Sequence, residues 1–373
     1  MSPDRRYQLQ SEDANRRLDA LLEQLRVPEA AWPLYAEMLT TALKMYEDGT
    51  GVADLKIANN AFKEIRYGFK VFGPWRTVPK VTVFGSARTP REHPISEQAH
   101  AFGKRITGAG WMVMTGAGGG VMSSAQEGAG GERSFGLNIR LPFEQEANPW
   151  IASDPKLIRF KYFFTRKLFL VREAHAMTFL PGGFGTADEA FEALTLIQTG
   201  KSPVLPLVML DEPGGTYWKS FDAFVRREMV GRGMVSPTDP DLYRVTDDVE
   251  VAAAEVEGFY RNYHSQRYVR DSLVLRMRHL LPETTLAELS AAFTDILDGP
   301  AVQTPGPVQG EGDELPDLPR LVLPFNRSGF SRLRSLIDTV NASARRVLRL
   351  PPTPAPRAPR WSGTRCRPTC AAR

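Results

Sequence analysis

The strongest constraint on the fold is a regular alternation of short apolar runs with amphipathic segments, which extends from Val81 to Tyr263. The runs that predict strands are 81–84, 111–114, 135–141, 157–160, 176–180 and 204–210. The segments that predict helices are 96–109, 121–127, 164–173, 188–198, 217–229 and 249–263. Such alternation predicts a parallel sheet covered by helices on both faces. The predicted fold class is therefore α/β, with a Rossmann-like doubly wound parallel sheet.

Three of the predicted strands end in turns that contain glycine, at 85–86, 115–120 and 181–186. The carboxyl ends of parallel strands lie at one edge of the sheet, where such folds bind their ligands. The turns lack both a dinucleotide-binding G-x-G-x-x-G in register and a P-loop. Taken alone, the run Gly118-Gly119-Gly120 fits a tight turn as well as a phosphate site.

The chain divides into four predicted regions. They are a helical N-terminal extension at 1–77, a Rossmann-like nucleotide-binding domain at 78–265, a small α/β appendage at 266–341 and a disordered tail at 342–373. Within the appendage we predict strands at 273–277 and 321–324, helices at 286–297 and 330–340, and a loop at 300–318. The tail is rich in proline, arginine and alanine and has no apolar periodicity, which is typical of disorder.

The charge of the chain is unevenly distributed. The tail holds eight arginines and no acidic residue, so the chain's net +4 leaves −4 for residues 1–341. An arginine-rich tail is able to contact nucleic acid or an anionic surface, but Trp361 is its only aromatic residue and nucleic-acid binding is not expected.

Composition favours a cytoplasmic protein. No apolar run reaches the roughly 18 to 20 residues that span a bilayer, and the first residues lack the apolar segment of a signal peptide. Both cysteines, Cys366 and Cys370, lie in the tail, which excludes a disulfide scaffold or a thiolate-bound zinc in the body. We expect no membrane partner, no metal and no cofactor.

The stretch 181–189 reads Pro-Gly-Gly-Phe-Gly-Thr-Ala-Asp-Glu and follows an apolar run. A helix is predicted to start near Thr186, with that threonine as its N-cap. Glycines before a helix start allow close approach of a ligand, and the free N–H groups there bind anions. Glu189 is a candidate acid or base, but a carboxylate stabilised by the helix dipole is the competing interpretation.

A second group lies upstream at 161–167, Lys-Tyr-Phe-Phe-Thr-Arg-Lys. Two cations at a helix start oppose its dipole, and a bound anion would offset that cost. Arg166 and Lys167 fit either such an anion site or a solvated basic face. The aromatic residues at 162–164 fit core packing or stacking on a base.

Arg166 precedes Glu189 by 23 positions, and this pair with the Pro-Gly-Gly-x-Gly-Thr-x-x-Glu motif resembles the Lonely Guy (LOG) family of nucleoside 5′-monophosphate phosphoribohydrolases, in its longer bacterial form. The resemblance covers roughly residues 78 to 265. Supporting matches are 85–86, 115–120, 136–139, Glu144-Gln145 and 195–201. Family members are often labelled lysine decarboxylases, but no lysine here has the setting that pyridoxal phosphate needs.

The resemblance implies hydrolysis of the ribose–base bond of a nucleoside 5′-monophosphate, such as AMP or a cytokinin riboside 5′-monophosphate, in a homo-oligomer. It implies catalytic roles for Arg166 and Glu189. The residues implied to bind substrate are Gly85, Ser86, Gly118, Gly119, Gly120, Lys167, Gly182, Gly183, Gly185 and Thr186.

Two positions depart from the family pattern. Ala117 stands where members commonly have glycine, and Ser123 where many carry glutamate. A non-catalytic carrier of a nucleotide or of molybdenum cofactor is the alternative function, since such carriers have similar glycine turns. A carrier needs phosphate donors but no carboxylate beside the ribose, so Arg166 and Glu189 together favour the enzyme.

Overall fold

The computed structural model describes residues 7–139, 146–312 and 314–343. These form two compact units, Met1–Lys70 and Val71–Arg373. Arg140, Leu141, Glu144 and Gln145, which figure in the sequence predictions, lie outside the described residues, and so does the predicted tail from 344 onward. The four-region division of the chain stays a prediction.

The first unit is helical, as predicted for residues 10 to 70. It contains α1 (Glu12–Gln24), α2 (Trp32–Glu47) and most of α3 (Val52–Phe72). The hydroxyl of Ser11 caps α1 by accepting from the N–H of Ala14. Leu18 and Leu22 of α1 pack against Trp32 and Ala36 of α2, which gives this unit a small core.

The second unit contains a parallel sheet of seven strands in the order β4-β3-β2-β1-β5-β6-β7. The strands are β1 (Lys80–Phe84), β2 (Met112–Thr115), β3 (Ser134–Ile139), β4 (Leu157–Phe160), β5 (Ala176–Phe179), β6 (Leu207–Leu210) and β7 (Tyr243–Thr246). The helices are α4 (Pro94–Gly108), α5 (Val121–Ala129), α6 (Phe163–Arg172), α7 (Phe184–Gln198), α8 (Tyr217–Phe224), which a π-helical turn (Val225–Val230) extends, and α9 (Val249–Phe259). The Rossmann-like α/β fold class is confirmed.

The sheet is doubly wound. Val81 and Val83 of β1 belong to a core cluster with α4, α5 and α9, whereas Phe84 belongs to the cluster that holds α6, α7 and α8. The strand order reverses between β1 and β5, which pair directly. The carboxyl ends of these two strands, at Phe84 and Phe179, are therefore the switch point where ligands bind in such folds.

The structure corrects two predicted elements. Strand β7 was missed, because it is a four-residue edge strand, Tyr-Arg-Val-Thr, with only one buried residue and no hydrophobic run. The helix predicted to reach 263 ends at Phe259, and Tyr263 instead begins β8 (Tyr263–Val269).

A second sheet of four antiparallel strands, in the order β10-β11-β9-β8, follows. The remaining strands are β9 (Ser272–Met277), β10 (Val302–Thr304) and β11 (Arg320–Leu323), with helices α10 (Glu283–Ala292) and α11 (Phe330–Ala342). The predicted loop at 300–318 thus contains one short strand. Side chains of both sheets belong to one hydrophobic cluster. Among the described residues, no helix has the length and apolar character to cross a bilayer.

A fully buried carboxylate fixes the connection between β10 and β11. Glu311 accepts from Nε of Arg276 and Nε of Arg320, each at 2.8 Å, and both guanidinium groups are themselves buried. Burial alone would raise the pKa of Glu311, but the two guanidinium hydrogen bonds lower it to about 2. The carboxylate is therefore charged in the folded protein at neutral pH.

We predict that Glu311→Gln lowers the free energy of unfolding by about 3–5 kcal/mol at pH 7, since it removes the counter-charge of the buried Arg320 and leaves the buried Arg276 with only the exposed Glu314. Glu314→Gln is the control: Glu314 also pairs with Arg276, at 3.0 Å, but is exposed, so its loss costs roughly 1 kcal/mol or less. Denaturant unfolding measures both.

The pKa of Glu311 is lowered on folding, so its stabilisation is present above the unfolded value and is lost as pH falls from about 4.5 towards 2. The difference in free energy of unfolding between wild type and Glu311→Gln must therefore decrease over that pH range. A difference in free energy of unfolding that stays constant down to pH 2 would contradict this account.

Candidate active site

The three glycine turns meet at the switch point. The N–H of Ser86 donates to the carbonyl of Pro181 at 3.2 Å, which joins the turns after β1 and β5. The N–H of Val121 donates to the carbonyl of Ser86 at 3.0 Å, which joins the turn after β1 to the start of α5. The structure thus brings together the predicted residues at 85–86, 118–120 and 181–186.

Two of these glycines are required by their surroundings. Gly120 has φ +59°, and a Cβ there would collide with the carbonyl of Ser86. A Cβ on Gly182 would collide with the hydroxyl of Thr186 and would lie 3.0 Å from the backbone nitrogen of Ser86. The close contact of the turns therefore depends on glycine at both positions.

The remaining predicted glycines differ in how much space surrounds them. A Cβ on Gly85 would collide with the side chain of Val121, and one on Gly118 would lie 2.7 Å from Cε of Met122. Gly119, between Gly118 and Gly120 in the loop, is half-buried. A Cβ on Gly183 or Gly185 would have no atom of the described residues within 4 Å. Space for a ligand thus lies at the start of α7.

The start of α7 has the character of an anion site. Its N-cap is Gly183, and no side chain in the part of the chain that the structure describes caps the helix. The prediction of Thr186 as N-cap is wrong, because the helix starts two residues earlier, at Phe184, and the Thr186 side chain lies against Gly182. N–H groups of an uncapped first turn are available to an anion, and the helix dipole adds to the attraction.

Glu189 lies one turn further along α7 and is almost completely buried, with 9% of its surface exposed. Its Oε2 atom has no hydrogen-bond partner within the described residues. Burial raises the pKa of Glu189 to about 7; the charge of Lys167 works against the rise, Glu192 adds to it, Arg166 opposes it and Asp188 adds to it. Glu189 is thus able to exchange a proton near neutral pH.

Lys167 on α6 forms ion pairs with α7. Its Nζ lies 2.6 Å from Oδ2 of Asp188 and 2.9 Å from Oε2 of Glu192. Asp188, next to Glu189 in the motif, thus pairs with a lysine of α6. These carboxylates neutralise the Lys167 charge, and within the described ranges Lys167 forms no hydrogen bond or ion pair with the glycine turns.

Arg166 lies against the glycine loop. A Cβ on Gly116 would collide with Nη2 of Arg166, so glycine at this position makes room for the guanidinium group. The charge of Arg166 also acts on Glu189. The two predicted catalytic residues are therefore electrostatically coupled across α6 and α7.

The two departures from the family pattern have different settings. Ala117 is buried and has φ +60°, a left-handed conformation that costs a residue with a Cβ about 1–3 kcal/mol. A glycine, which the family resemblance leads us to expect here, would adopt this conformation without that cost, and the Ala117 methyl group packs with Ile151 and Leu157. Ser123 is half-buried on α5.

Sequence reasoning missed Asn148, which holds the glycine loop. Its Nδ2 donates to the carbonyl of Gly118 at 3.0 Å and to Oε1 of Gln126 at 2.7 Å, and its N–H donates to the carbonyl of Ala117 at 3.0 Å. Tyr217, also missed, donates its hydroxyl to the carbonyl of Gly182 at 2.7 Å. Neither residue lies in a motif, and their contacts depend on tertiary structure.

We predict that Asn148→Ala increases hydrogen–deuterium exchange of residues 115–120 and costs about 1–3 kcal/mol of stability, because the carbonyl of Gly118 loses its donor. Exchange in β9 and β11 of the second sheet is the internal control and must not change. Unaltered exchange at 115–120 would show that Asn148 does not hold this loop.

No group of three or more histidine, cysteine, aspartate or glutamate residues in the described ranges has the geometry of a metal site.

Comparison with known proteins gives both sequence and structural relatives. The model of the family described as "possible lysine decarboxylase" matches residues 119–256. The molybdenum cofactor carrier protein of Chlamydomonas reinhardtii is 25% identical with TM-score 0.34, and the cofactor-binding protein of Rippkaea orientalis is 20% identical with TM-score 0.35. Each similarity covers 48% of this chain and 96% of the other. Structural likeness at this level carries no conclusion about function.

A sequence relative is the cytokinin riboside 5′-monophosphate phosphoribohydrolase of Mycobacterium tuberculosis (strain ATCC 25618 / H37Rv). It is 30% identical over 172 residues, which cover 44% of this chain and 87% of the relative. With the matching family model and a relative aligned over most of its length, the chain belongs to the LOG family.

Proposed function

We propose that this protein hydrolyses the N-glycosidic bond of a nucleoside 5′-monophosphate, releasing the free base and ribose 5-phosphate. The observation that carries the proposal is the buried carboxyl of Glu189, whose Oε2 has no partner within the described residues and whose pKa is raised to about 7. Buried groups with raised pKa values in a ligand-binding edge are typical of catalytic acids and bases. The phosphoribohydrolase relative supports this reaction class.

The 5′-phosphate would bind at the start of α7. Gly182, Gly183, Gly185 and Thr186 form this turn, and the space beside Gly183 and Gly185 admits a ligand. Gly85, Ser86 and the loop at 118–120 would contact the ribose and the base. Tyr217 and Asn148 would position these two turns through their hydrogen bonds to Gly182 and Gly118.

The reaction breaks the bond between C1′ and the base nitrogen and adds water across it. As the base leaves, positive charge develops on the ribose, and the carboxylate of Glu189 would stabilise it or take a proton from the attacking water. Arg166 would hold the substrate or donate a hydrogen bond to the departing base. Lys167, predicted to bind substrate, would instead act through its ion pairs with α7.

We also propose that the active form is a cytoplasmic homo-oligomer. Phe163 and Phe164 at the start of α6 are more than half exposed, and Phe184 at the start of α7 is 96% exposed. Aromatic residues at this density are typical of protein interfaces.

AMP and a cytokinin riboside 5′-monophosphate are the proposed substrates.

The first test is base release from AMP, CMP, GMP, IMP and isopentenyladenosine monophosphate. We expect at least one to give base and ribose 5-phosphate in equal amounts. Glu189→Gln must lose about a hundredfold or more in kcat while nucleotide binding is kept, since glutamine keeps the shape but not the charge.

Ser123→Ala, on helix α5 at the other face of the sheet, is the control for that variant and keeps base release. No release from any of the five nucleotides, with binding intact, would replace the enzyme by a non-catalytic carrier of a nucleotide or of molybdenum cofactor.

The second test is the pH dependence of kcat/KM. If the ionised carboxylate of Glu189 is the catalytic form, kcat/KM rises with pH to a plateau and reaches half of its maximum near pH 7. The Lys167 charge lowers the pKa of Glu189 and the Glu192 charge raises it. Lys167→Met must therefore move the midpoint to higher pH, and Glu192→Gln must move it to lower pH.

The substrate phosphate also titrates, but it affects the pH profile of every variant equally. Its effect therefore cancels when the midpoints of the variants are compared with that of wild type. Lys104→Met, which changes an exposed lysine of α4, must leave the midpoint where it is. Shifts of both variants in one direction would contradict the role given to Glu189.

A further inference from the structure

A large cleft lies at the opposite edge of the parallel sheet from the glycine turns. Its volume is about 1280 Å³, which is ample for a small-molecule ligand. Pro79, Trp111, His175 and Leu205 line it, and each of them directly precedes or lies just before a strand of the parallel sheet. Strand β8 of the second sheet forms another wall through 263–266.

The charges that line the cleft are predominantly positive. Glu192, Glu257 and Glu314 are neutralised by ion pairs with Lys167, Arg105 and Arg276 respectively. The lining cations Arg76, Lys201 and Arg278 form no ion pair within the part of the chain that the structure describes. The cleft therefore attracts an anion.

Two histidines in the wall have lowered pKa values, to which nearby cations contribute. Burial lowers the pKa of His264, and Arg278, Arg276 and Arg320 lower it further. Burial and the charge of Lys80 lower the pKa of His175 to about 4. Both imidazoles are thus held neutral at pH 7, and the positive charge comes from the arginines and lysines.

The wall between these cations is apolar. Trp111, Leu196, Val204, Tyr260 and Tyr263 contribute rings and aliphatic groups to it. A ligand that matches the whole surface carries an anionic group together with an apolar or aromatic body.

The cleft also reaches the helices of the glycine-turn site. Lys167 of α6 and Glu192 of α7 line the cleft, they pair with each other, and their charges act on Glu189. A ligand that contacts this pair changes the electrostatic environment of the carboxyl.

We propose that the cleft is a second binding site, for a small anionic molecule with an aromatic body, and that its occupancy alters turnover through Lys167 and Glu192. The binding half of the proposal stands on the cleft alone, and the effect on turnover rests on the proposed function.

The test uses the full-length protein and 8-anilinonaphthalene-1-sulfonate, an aromatic anion, with binding followed by fluorescence in the absence of nucleotide. Wild type is expected to bind one molecule per chain in the cleft. The double variant Arg76→Glu/Lys201→Glu must weaken binding at least tenfold. Lys104→Glu, the same charge reversal on the exposed face of α4, must leave the dissociation constant unchanged.

A second variant removes space and leaves charge alone. Ser202→Trp places an indole in the cleft and must also weaken binding at least tenfold, whereas a variant that binds like wild type would place the probe elsewhere. Equal dissociation constants of the probe for the double variant and for Lys104→Glu would contradict the proposed binding site. Dissociation of an oligomer by the double variant would also overturn it, since the cleft would then be an interface.

The effect on turnover is measured on whichever nucleotide releases base. Saturating probe is expected to change kcat at least twofold in wild type and in Lys104→Glu, and not in the double variant. Binding that leaves kcat unchanged would overturn the coupling. A protein that cleaves no nucleotide but binds the probe in the cleft would overturn the proposed function and leave the second site standing.

Discussion

The burial of one carboxyl group, that of Glu189, is the constraint on which the candidate site depends. A charged carboxylate in such a place is costly unless it is paired, and here Lys167 pairs with its neighbours Asp188 and Glu192 instead. The pKa of Glu189 therefore rises to about 7. A fold selected only for stability would place an apolar or amide side chain there, and this is why we propose a chemical role for the carboxyl.

The parallel sheet supplies the setting for that carboxyl. Because β1 and β5 pair at the point where strand order reverses, the turns that follow them share hydrogen bonds. Helix α7 leaves the second of these turns with its N–H groups directed to the same edge. Glu189 follows one turn later, and Arg166 on α6 reaches the glycine loop from the other side. In the proposed mechanism the backbone binds the anion, and these two side chains carry out the chemistry.

Local patterns predicted most of the fold. The parallel strands β1 to β6 are short segments rich in apolar residues, and the helices between them follow amphipathic spacing, so both are visible in the sequence. Strand β7 is not, because an edge strand with one buried residue carries no such run. In the site, the glycine turns and the Arg166–Glu189 interval were visible as motifs. The contacts of Asn148 and Tyr217 and the pairing of Lys167 were not, since each joins residues distant in the chain.

The most direct test of the central claim is the free energy of unfolding of wild type and Glu189→Gln as a function of pH. The pKa of Glu189 is higher in the folded than in the unfolded protein, so ionisation destabilises wild type as pH rises from about 4.5 to 7. Glutamine mimics the neutral carboxyl. The account predicts equal stability at pH 4.5 and a variant more stable by up to ~3 kcal/mol at pH 8. A variant less stable than wild type at pH 8 would contradict it.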